Sequence, residues 1–226
     1  MVSQTPASLS QASIIASPSF EARLQRSELR GATILAACWG FAIVTAFLRR
    51  ELGGVVMSVN EVFFPTITLF GIALGYELFV IGDLRRHLRL GQRIARWRWM
   101  LAIAVELAVP TAALIVLEIY SPRGAYAALS APILLAYPIV IMLSILRLRP
   151  RVTLLMGIAS AILHMALVSY AIRSHGIDVH HWPILYTYAA TLAMTGVAGS
   201  LVASQGRANV IEAVKEAMTA DQEQRA

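Results

Sequence analysis

The stretch that decides the fold lies between Arg98 and Arg123, where residues 99–122 read WMLAIAVELAVPTAALIVLEIYSP. Its 24 residues carry only two charged side chains, Glu106 and Glu118. An α-helix rises about 1.5 Å per residue, so about 20 apolar residues cross the roughly 30 Å of hydrocarbon in a bilayer. The stretch therefore predicts a transmembrane helix.

Five further apolar runs lie between charged or imidazole side chains. Arg30 to Arg49 encloses 18 residues, Glu51 to Asp83 encloses 31, Arg123 to Arg147 encloses 23, Arg151 to Arg173 encloses 21, and His181 to Arg207 encloses 25. Membrane β-strands would instead show segments of about 10 residues with alternating hydrophobicity. The six runs predict an all-α, polytopic membrane protein built as a six-transmembrane-helix bundle.

The composition of the whole chain supports this class and excludes others. The 226 residues are 58% hydrophobic and 14% charged, with a mean hydropathy of +0.66, whereas soluble domains are about 45–50% apolar and about 25% charged. This balance excludes an ordinary soluble domain and a disordered chain. Cys38 is the single cysteine, which excludes a disulfide-stapled module.

The basic side chains predict the orientation of the chain in the membrane. If the N-terminus is cytoplasmic, 15 of the 19 basic residues fall on inner segments and 4 on outer loops. The positive-inside rule then predicts that both termini are cytoplasmic. The net charge of +6 then comes from basic loops that face an anionic leaflet. We predict no nucleic-acid partner.

Three segments are predicted along the chain. Residues 1–30 form a cytoplasmic tail that includes a short amphipathic helix, residues 31–203 form the transmembrane domain, and residues 204–226 form a cytoplasmic signalling helix. The last segment has the 3–4 spacing of a coiled-coil seam, and its candidate signal-transmitting residues are Val210, Ile211, Val214 and Met218. Residues 221–226 contain no Gly or Pro that would end this helix, so we expect a cytoplasmic domain to follow.

Two predicted helices share a Glu-x-x-x-Pro-Thr pattern, at 61–66 and at 106–111. Proline removes the hydrogen bond to the carbonyl four residues earlier, which here belongs to the glutamate itself. A free carbonyl beside an acidic side chain suits a proton, a cation or an amine-bearing ligand. The candidate ligand-binding residues are Glu61, Pro65, Glu106 and Pro110. The alternative is a pair of helix kinks whose glutamates bond to neighbouring helices.

Other polar side chains in the apolar runs are weaker candidates. We expect Glu77 and Glu118 to reach the membrane interface, since both lie near predicted helix ends. His164 lies midway along the fifth run; it is a candidate ligand-binding residue, and its alternative role is a hydrogen-bonded core side chain. The loop before the sixth run is a candidate Zn or Cu site, or a polar loop with an interfacial Trp; its candidate ligands are His175, Asp178, His180 and His181.

Small residues mark places where helices can approach closely. Gly71 and Gly75 form a GxxxG pattern in the second run. In the sixth run, small residues lie on one face at Ala189, Ala193, Gly196 and Ser200. The spacing is compatible with a partner helix in the same chain or in a second copy. Phosphate-binding, nucleophile-elbow and zinc-protease motifs are missing from the sequence, so we predict neither a catalytic residue nor a cofactor.

The middle of the chain resembles a known family. The segment 106–111, followed by 137–148 (YPIVIMLSILRL) and Arg151, is similar to the membrane anchors of bacterial class III adenylate/guanylate cyclases. The resemblance covers roughly residues 31–220. It implies six helices in the bacterial inner membrane, both termini inside, homodimerisation, and a sixth helix that passes a signal to a catalytic domain. That catalytic domain is absent from these 226 residues.

Two functions are therefore expected. The first is a membrane anchor and sensory module that binds a small or lipophilic ligand near Glu61, Glu106 and His164, and signals through its C-terminal helix. The second is a small proton- or cation-coupled secondary transporter. Two sets of three helices would have opposite orientations in the membrane, as the halves of an inverted repeat do. A membrane enzyme that uses the histidine-rich loop is a third, weaker hypothesis.

Overall fold

A computed structural model describes residues 18–52, 57–92, 94–121, 129, 132–175 and 182–225 of the chain. Within these ranges the chain is helical and has no strand. The helices are α1 (Pro18–Leu52), α2 (Met57–Leu90), α3 (Arg96–Tyr120), α4 (Ala136–Ile145, preceded by a 3-10 turn at Pro132–Leu135), α5 (Pro150–His175) and α6 (Trp182–Arg225). The prediction of an all-α fold is confirmed.

Five of these helices are long and apolar enough to cross a membrane. The spans are Phe20–Leu48, Val62–Leu90, Trp97–Tyr120, Pro150–Ser174 and Leu185–Ala220. Large apolar side chains also cover the outside of the bundle, such as Phe41, Ile72 and Met100. An apolar surface of this extent is typical of contact with lipid. The protein is therefore a multi-pass membrane protein.

The predicted fourth span differs from the other five. Among the described residues it holds a short apolar helix, Ile133–Ile145, which measures about 20 Å at about 1.5 Å per residue. Pro132 starts it as a 3-10 turn, and residues 122–128, 130 and 131 lie outside the described part of the chain. Within the described ranges the structure thus has five helices that could span a membrane and one shorter apolar helix, and the predicted count of six spans stays a prediction.

The helices form two hairpins joined by a middle pair. Helix α1 packs along α2, α5 packs along α6, and α3 and α4 lie between these hairpins. The stacked rings of Trp39 and Phe70, with centroids 5.6 Å apart, join α1 to α2. The centre of the bundle is apolar and fully buried, with Leu114, Tyr137, Ile141, Met156 and Leu192.

Two glycines set the distance between α5 and α6. A Cβ atom added to Gly157 would lie 2.4 Å from the Cα of Gly196, and one added to Gly196 would lie 2.7 Å from the Cα of Gly157. The two backbones therefore touch, as small residues in membrane helices allow. The small-residue face of α6 has its partner in the same chain.

The glycine pattern of α2 behaves differently. Gly71 and Gly75 are exposed, and a Cβ atom on either would meet nothing within 4 Å in the described part of the chain. Gly82 has the same exposure and the same free space. Its position seven residues after Gly75 places it on the same helix face. This glycine face of α2 (Gly71, Gly75 and Gly82) points away from the described bundle.

The two boundaries of the predicted transmembrane domain fall inside continuous helices. Helix α1 passes through residue 30 and α6 passes through residue 203 without interruption. The segment predicted as an N-terminal amphipathic helix is therefore continuous with α1, and the segment predicted as a C-terminal signalling helix is the last part of α6.

Candidate functional site

A cavity of about 400 Å³ lies where α1 begins, α2 ends, α3 begins and α4 ends. We call this side of the bundle the arginine-rich end, because the chain there carries Arg85, Arg86, Arg89, Arg98, Arg147, Arg149 and Arg151. The cavity combines apolar walls with a concentration of charged side chains. Those charged residues are Glu28, Glu77, Asp83, Arg98, Glu106 and Arg147.

Glu106 is the predicted candidate that the cavity contains. It lies on α3, is buried, and accepts a charge-assisted hydrogen bond from the Arg147 guanidinium, which follows α4. Burial lowers the pKa of Arg147, but the carboxylates of Glu106 and Glu28 outweigh burial and hold that pKa above its usual range. Arg147 is therefore a permanent cation in this site.

Glu28 is the unpaired member of the cavity. Its side chain on α1 is 5% exposed, and neither carboxylate oxygen has a hydrogen-bond partner among the described residues. Arg147 and Arg149 attract it electrostatically but do not reach hydrogen-bonding geometry. Gln25, one turn earlier, holds this part of α1 in place by donating to the carbonyl of Gln92 at 2.8 Å.

Glu77 completes a group of three carboxyl groups around the cavity. It lies on α2 and is 2% exposed, so the expectation that it reaches the membrane interface is wrong. Glu118, at the other end of α3, is also buried, and the same expectation fails there. Glu77 shares its helix face with buried apolar residues that pack into the bundle, namely Phe70, Ala73, Ile81 and Leu84. This position explains why the Glu77 side chain is buried.

A second ionic group lines the same cavity. Asp83 on α2 pairs with Arg98 on α3 at 2.5 Å, and His87 approaches the same carboxylate at 3.3 Å. Arg149 lies over the Trp99 ring, 4.4 Å from its centroid. These contacts join the end of α2, the start of α3 and the turn after α4, so they hold the cavity walls together.

The two Glu-Pro-Thr motifs do not meet. The Glu61 side chain lies outside the described residues, and its position on α2 is about 24 Å along the axis from Glu77. Pro65 and Pro110 both lie inside continuous helices. Thr111 donates to the carbonyl of Leu107 at 2.7 Å and lies 2.8 Å from the Tyr137 hydroxyl. Because its single hydrogen is used on Leu107, Thr111 accepts from Tyr137.

His164 lies away from the cavity, between α5 and α6. Its ring packs edge-on against Tyr188 at 4.8 Å, and the side chain is buried. The carbonyl of Leu185 faces the ring, yet neither ring nitrogen makes a hydrogen bond within the described part of the chain. The structure therefore does not bring His164 together with Glu106.

The candidate metal loop lies outside the described structure. Residues 176–181 and the side chain of His175 are not described, so the prediction for His175, Asp178, His180 and His181 stays a prediction. Among the residues that are described, no group of three His, Cys, Asp or Glu side chains could hold a metal ion.

The predicted coiled-coil seam lies on α6, and one of its residues is covered within the chain. Val214 is 2% exposed, whereas Val210, Ile211 and Met218 are half-buried. Helix α6 contacts α5, α4 and α1, and the turn between α4 and α5 meets it near Gly206. Val214 lies about 12 Å further along and is buried, so its side chain is covered within the chain.

Sequence reasoning found Glu106 but missed Glu28, Glu77 and Arg147. A signal for the two glutamates was present. Glu28 lies four residues after Leu24 and seven before Leu35, on the apolar stripe of α1, and such a stripe faces the protein interior. Arg147 had no such signal, because it was taken as the boundary of an apolar run.

Comparison with protein-family models, curated proteins and solved structures yields no match for this chain. The cavity therefore has to be interpreted from its own chemistry. Three buried carboxyl groups face one buried guanidinium, so carboxyl oxygens dominate the polar lining of the site. Such a site suits a ligand that donates hydrogen bonds.

Proposed function

We propose that this protein is a six-span membrane anchor and sensory module of a bacterial inner membrane, with both termini in the cytoplasm. It forms a homodimer and passes a signal through α6 to a cytoplasmic, cyclase-like output domain. The observation that carries this proposal is the length of α6, which runs for 44 residues from Trp182 to Arg225. A single helix through both a membrane span and its extension transmits rotation or translation between them.

The cavity has a physical connection to α6. Leu146 and Arg147 line the cavity, and the next residue, Leu148, lies against Gly206, where an added Cβ would be 3.1 Å from its side chain. Leu148 adopts a φ of 52°, a left-handed conformation that strains a residue with a Cβ atom. Ser27 on α1 donates to the Leu146 carbonyl. A ligand that displaces Arg147 would therefore move a strained turn that touches α6.

The proposed orientation places this cavity on the cytoplasmic side. All seven arginines that define the arginine-rich end fall on inner segments in this topology, which hold 15 of the 19 basic residues. The positive-inside rule supports that assignment. The ligand then enters from the cytoplasm or from the inner leaflet.

We expect the homodimer to use the glycine face of α2. Replacing Gly71 and Gly75 together with isoleucine should weaken the dimer at least tenfold, because the side chains would prevent close approach of two α2 helices. The dimer fraction is measured by energy transfer between labelled copies diluted in lipid bilayers. Gly40→Ile is the control, since its added Cβ also meets nothing within 4 Å among the described residues. An unchanged dimer in the double variant would place the interface elsewhere.

The role of α6 is tested with the full chain fused to an adenylate cyclase catalytic domain after Ala226. Two alanines inserted after Ala220 rotate the output domain by about 200°, whereas seven alanines nearly restore its phase, since a helix has about 3.6 residues per turn. We expect the first insertion to change cyclic AMP production at least fivefold, within the usual range of allosteric coupling. The second should retain most of the original output. Equal output from both fusions would contradict transmission through α6.

The alternative function is a small proton- or cation-coupled transporter, and the three buried carboxyl groups of the cavity favour it. Transporters of this kind bind their ions at interrupted helices near the membrane midplane. Helices α2 and α3 pass through their prolines without interruption, which favours the sensory module. Flux into proteoliposomes discriminates the two, because pH-dependent transport that Glu106→Gln abolishes would establish the transporter.

A further inference from the structure

The starting observation is a buried carboxylate without a partner. Glu28 lines the cavity, is 5% exposed, and leaves both oxygens without a hydrogen bond among the described residues. A buried carboxyl group without a hydrogen bond costs free energy, so each such group in a folded protein calls for an explanation. The chain therefore has an acceptor that is positioned for a donor from outside.

A second unpaired group lines the same cavity. The Nη1 of Arg147 is buried and has no hydrogen-bond partner in the described part of the chain, although another nitrogen of the same guanidinium binds Glu106. Glu28 needs donors and Arg147 Nη1 needs an acceptor. One molecule that carries both kinds of group satisfies both side chains.

The balance of hydrogen-bond donors and acceptors decides which kind of molecule fits. The cavity holds the carboxyl groups of Glu28, Glu77 and Glu106 against the Arg147 guanidinium, while Asp83 is paired with Arg98. A ligand ammonium supplies donors to these carboxyl groups, whereas a ligand carboxylate has none to give. The acceptor for Arg147 should therefore be neutral, such as a hydroxyl, ether or carbonyl oxygen.

Size and wall chemistry favour an organic cation over a metal ion. The described residues contain no group of three side chains that could hold a metal. A volume of about 400 Å³ lies in the range of small-molecule sites, about 300–1,000 Å³. Trp97, Trp99, Leu101 and Leu35 supply apolar and aromatic wall, which suits an apolar body and adds cation–π attraction for an ammonium group.

We propose that the cavity at the arginine-rich end binds an organic ammonium compound with an apolar body, whose ammonium group donates to Glu28 and whose neutral oxygen accepts from Arg147 Nη1. This inference deepens the proposed sensory function and rests on it for its biological meaning, but the binding itself does not depend on signalling. Glu77 adds a further carboxyl group opposite α1, and the Glu106–Arg147 pair orients the guanidinium toward the ligand.

The test measures binding of three probes with one skeleton to the purified full chain in nanodiscs. The probes are 4-phenylbutylamine, 4-phenylbutanol and 4-phenylbutyrate, which differ only in an ammonium, hydroxyl or carboxylate group. Trp97 and Trp99 line the cavity, so tryptophan fluorescence reports occupancy. We expect the amine to bind at least tenfold more tightly than the alcohol, and the carboxylate to bind most weakly.

Variants assign the preference to the cavity. Glu28→Gln should reduce the preference for the amine over the alcohol to less than twofold. Glu51→Gln, at the exposed opposite end of the same helix, should retain it. Equal binding of amine and alcohol to the wild type, or a preference that survives Glu28→Gln, would overturn the proposal.

A measurement on the wild type covers the case in which Glu28→Gln does not fold. Dicyclohexylcarbodiimide modifies buried carboxyl groups, and mass spectrometry follows the peptide that contains Glu28. We expect 4-phenylbutylamine to slow this modification at least fivefold and 4-phenylbutanol to leave it unchanged; equal rates with both compounds overturn the proposal.

Binding without a change in the output of the cyclase fusion would reject the sensory function and leave the site intact. Loss of the amine preference would reject the site and leave transmission through α6 intact.

Discussion

Replacing Arg147 with glutamine is expected to lower the free energy of unfolding by about 3–5 kcal/mol. Arg147 is the buried cation among the carboxyl groups of Glu28, Glu77 and Glu106. Its loss would leave the Glu106 carboxylate buried without its partner, and an uncompensated buried charge accounts for most of the effect. Unfolding by heat or by steric trapping in micelles measures the change.

The paired control is the double variant Glu106→Gln/Arg147→Gln. Two neutral amides remove both the charge and the need for a counter-charge, so the double variant should recover most of the stability that Arg147→Gln loses. Arg207→Gln is a second control, because Arg207 lies on α6 outside the cavity lining; it should stay within about 0.5 kcal/mol of the wild type. A double variant as unstable as Arg147→Gln would mean that Arg147 stabilises the fold by packing rather than by charge.

Gly157→Ala should destabilise the protein by about 3 kcal/mol, the upper part of the range for overpacking. The added methyl group would lie 2.4 Å from the Cα of Gly196, which is backbone and cannot rotate away. Helices α5 and α6 would have to separate along their length, and Gly199, which packs on Thr153, would lose its contact too. Unfolding is measured as for Arg147→Gln. Near-normal melting of Gly157→Ala would show that α5 and α6 lie further apart than the contact between Gly157 and Gly196 indicates.

Gly40→Ala is the matched control for this variant. It makes the same chemical change inside another membrane helix, but its added Cβ meets nothing within 4 Å in the described bundle. We expect a stability within about 0.5 kcal/mol of the wild type. A large loss at Gly40 would indicate that alanine is unfavourable at helical glycines in general, independent of the crossing.

The helical runs were predictable because hydrophobic length is a local property. The apolar runs that became α2, α3 and α5 were read directly from their bounding charges, and the structure places long helices there. The run between Arg123 and Arg147 is described only in part. From Pro132 onward it holds a 3-10 turn and then the short helix α4, a change of helix type that counting apolar residues does not predict.

The candidate site was only partly predictable because it is assembled from four helices. Glu106 was found, since a carboxyl group in the middle of an apolar run is conspicuous. Glu28 and Arg147 were treated as parts of a tail and of a loop, although they lie beside Glu106 in the folded chain. The repeated Glu-Pro-Thr pattern did not indicate residues that lie together in one site. Helices α2 and α3 run antiparallel and place the two motifs at different depths.

The amino-acid pattern alone was enough to establish a helical membrane protein, because burial in lipid requires long apolar helices whose backbone bonds close within each segment. The pairing of side chains required the folded chain. Which helices are neighbours, and at what depth, decides these contacts. Gly196 meets Gly157 and Arg147 meets Glu106, whereas the glycine face of α2 and the Glu28 carboxyl group find no partner among the described residues. Lipid is equally favourable to every apolar face, so packing between helices selects these neighbours.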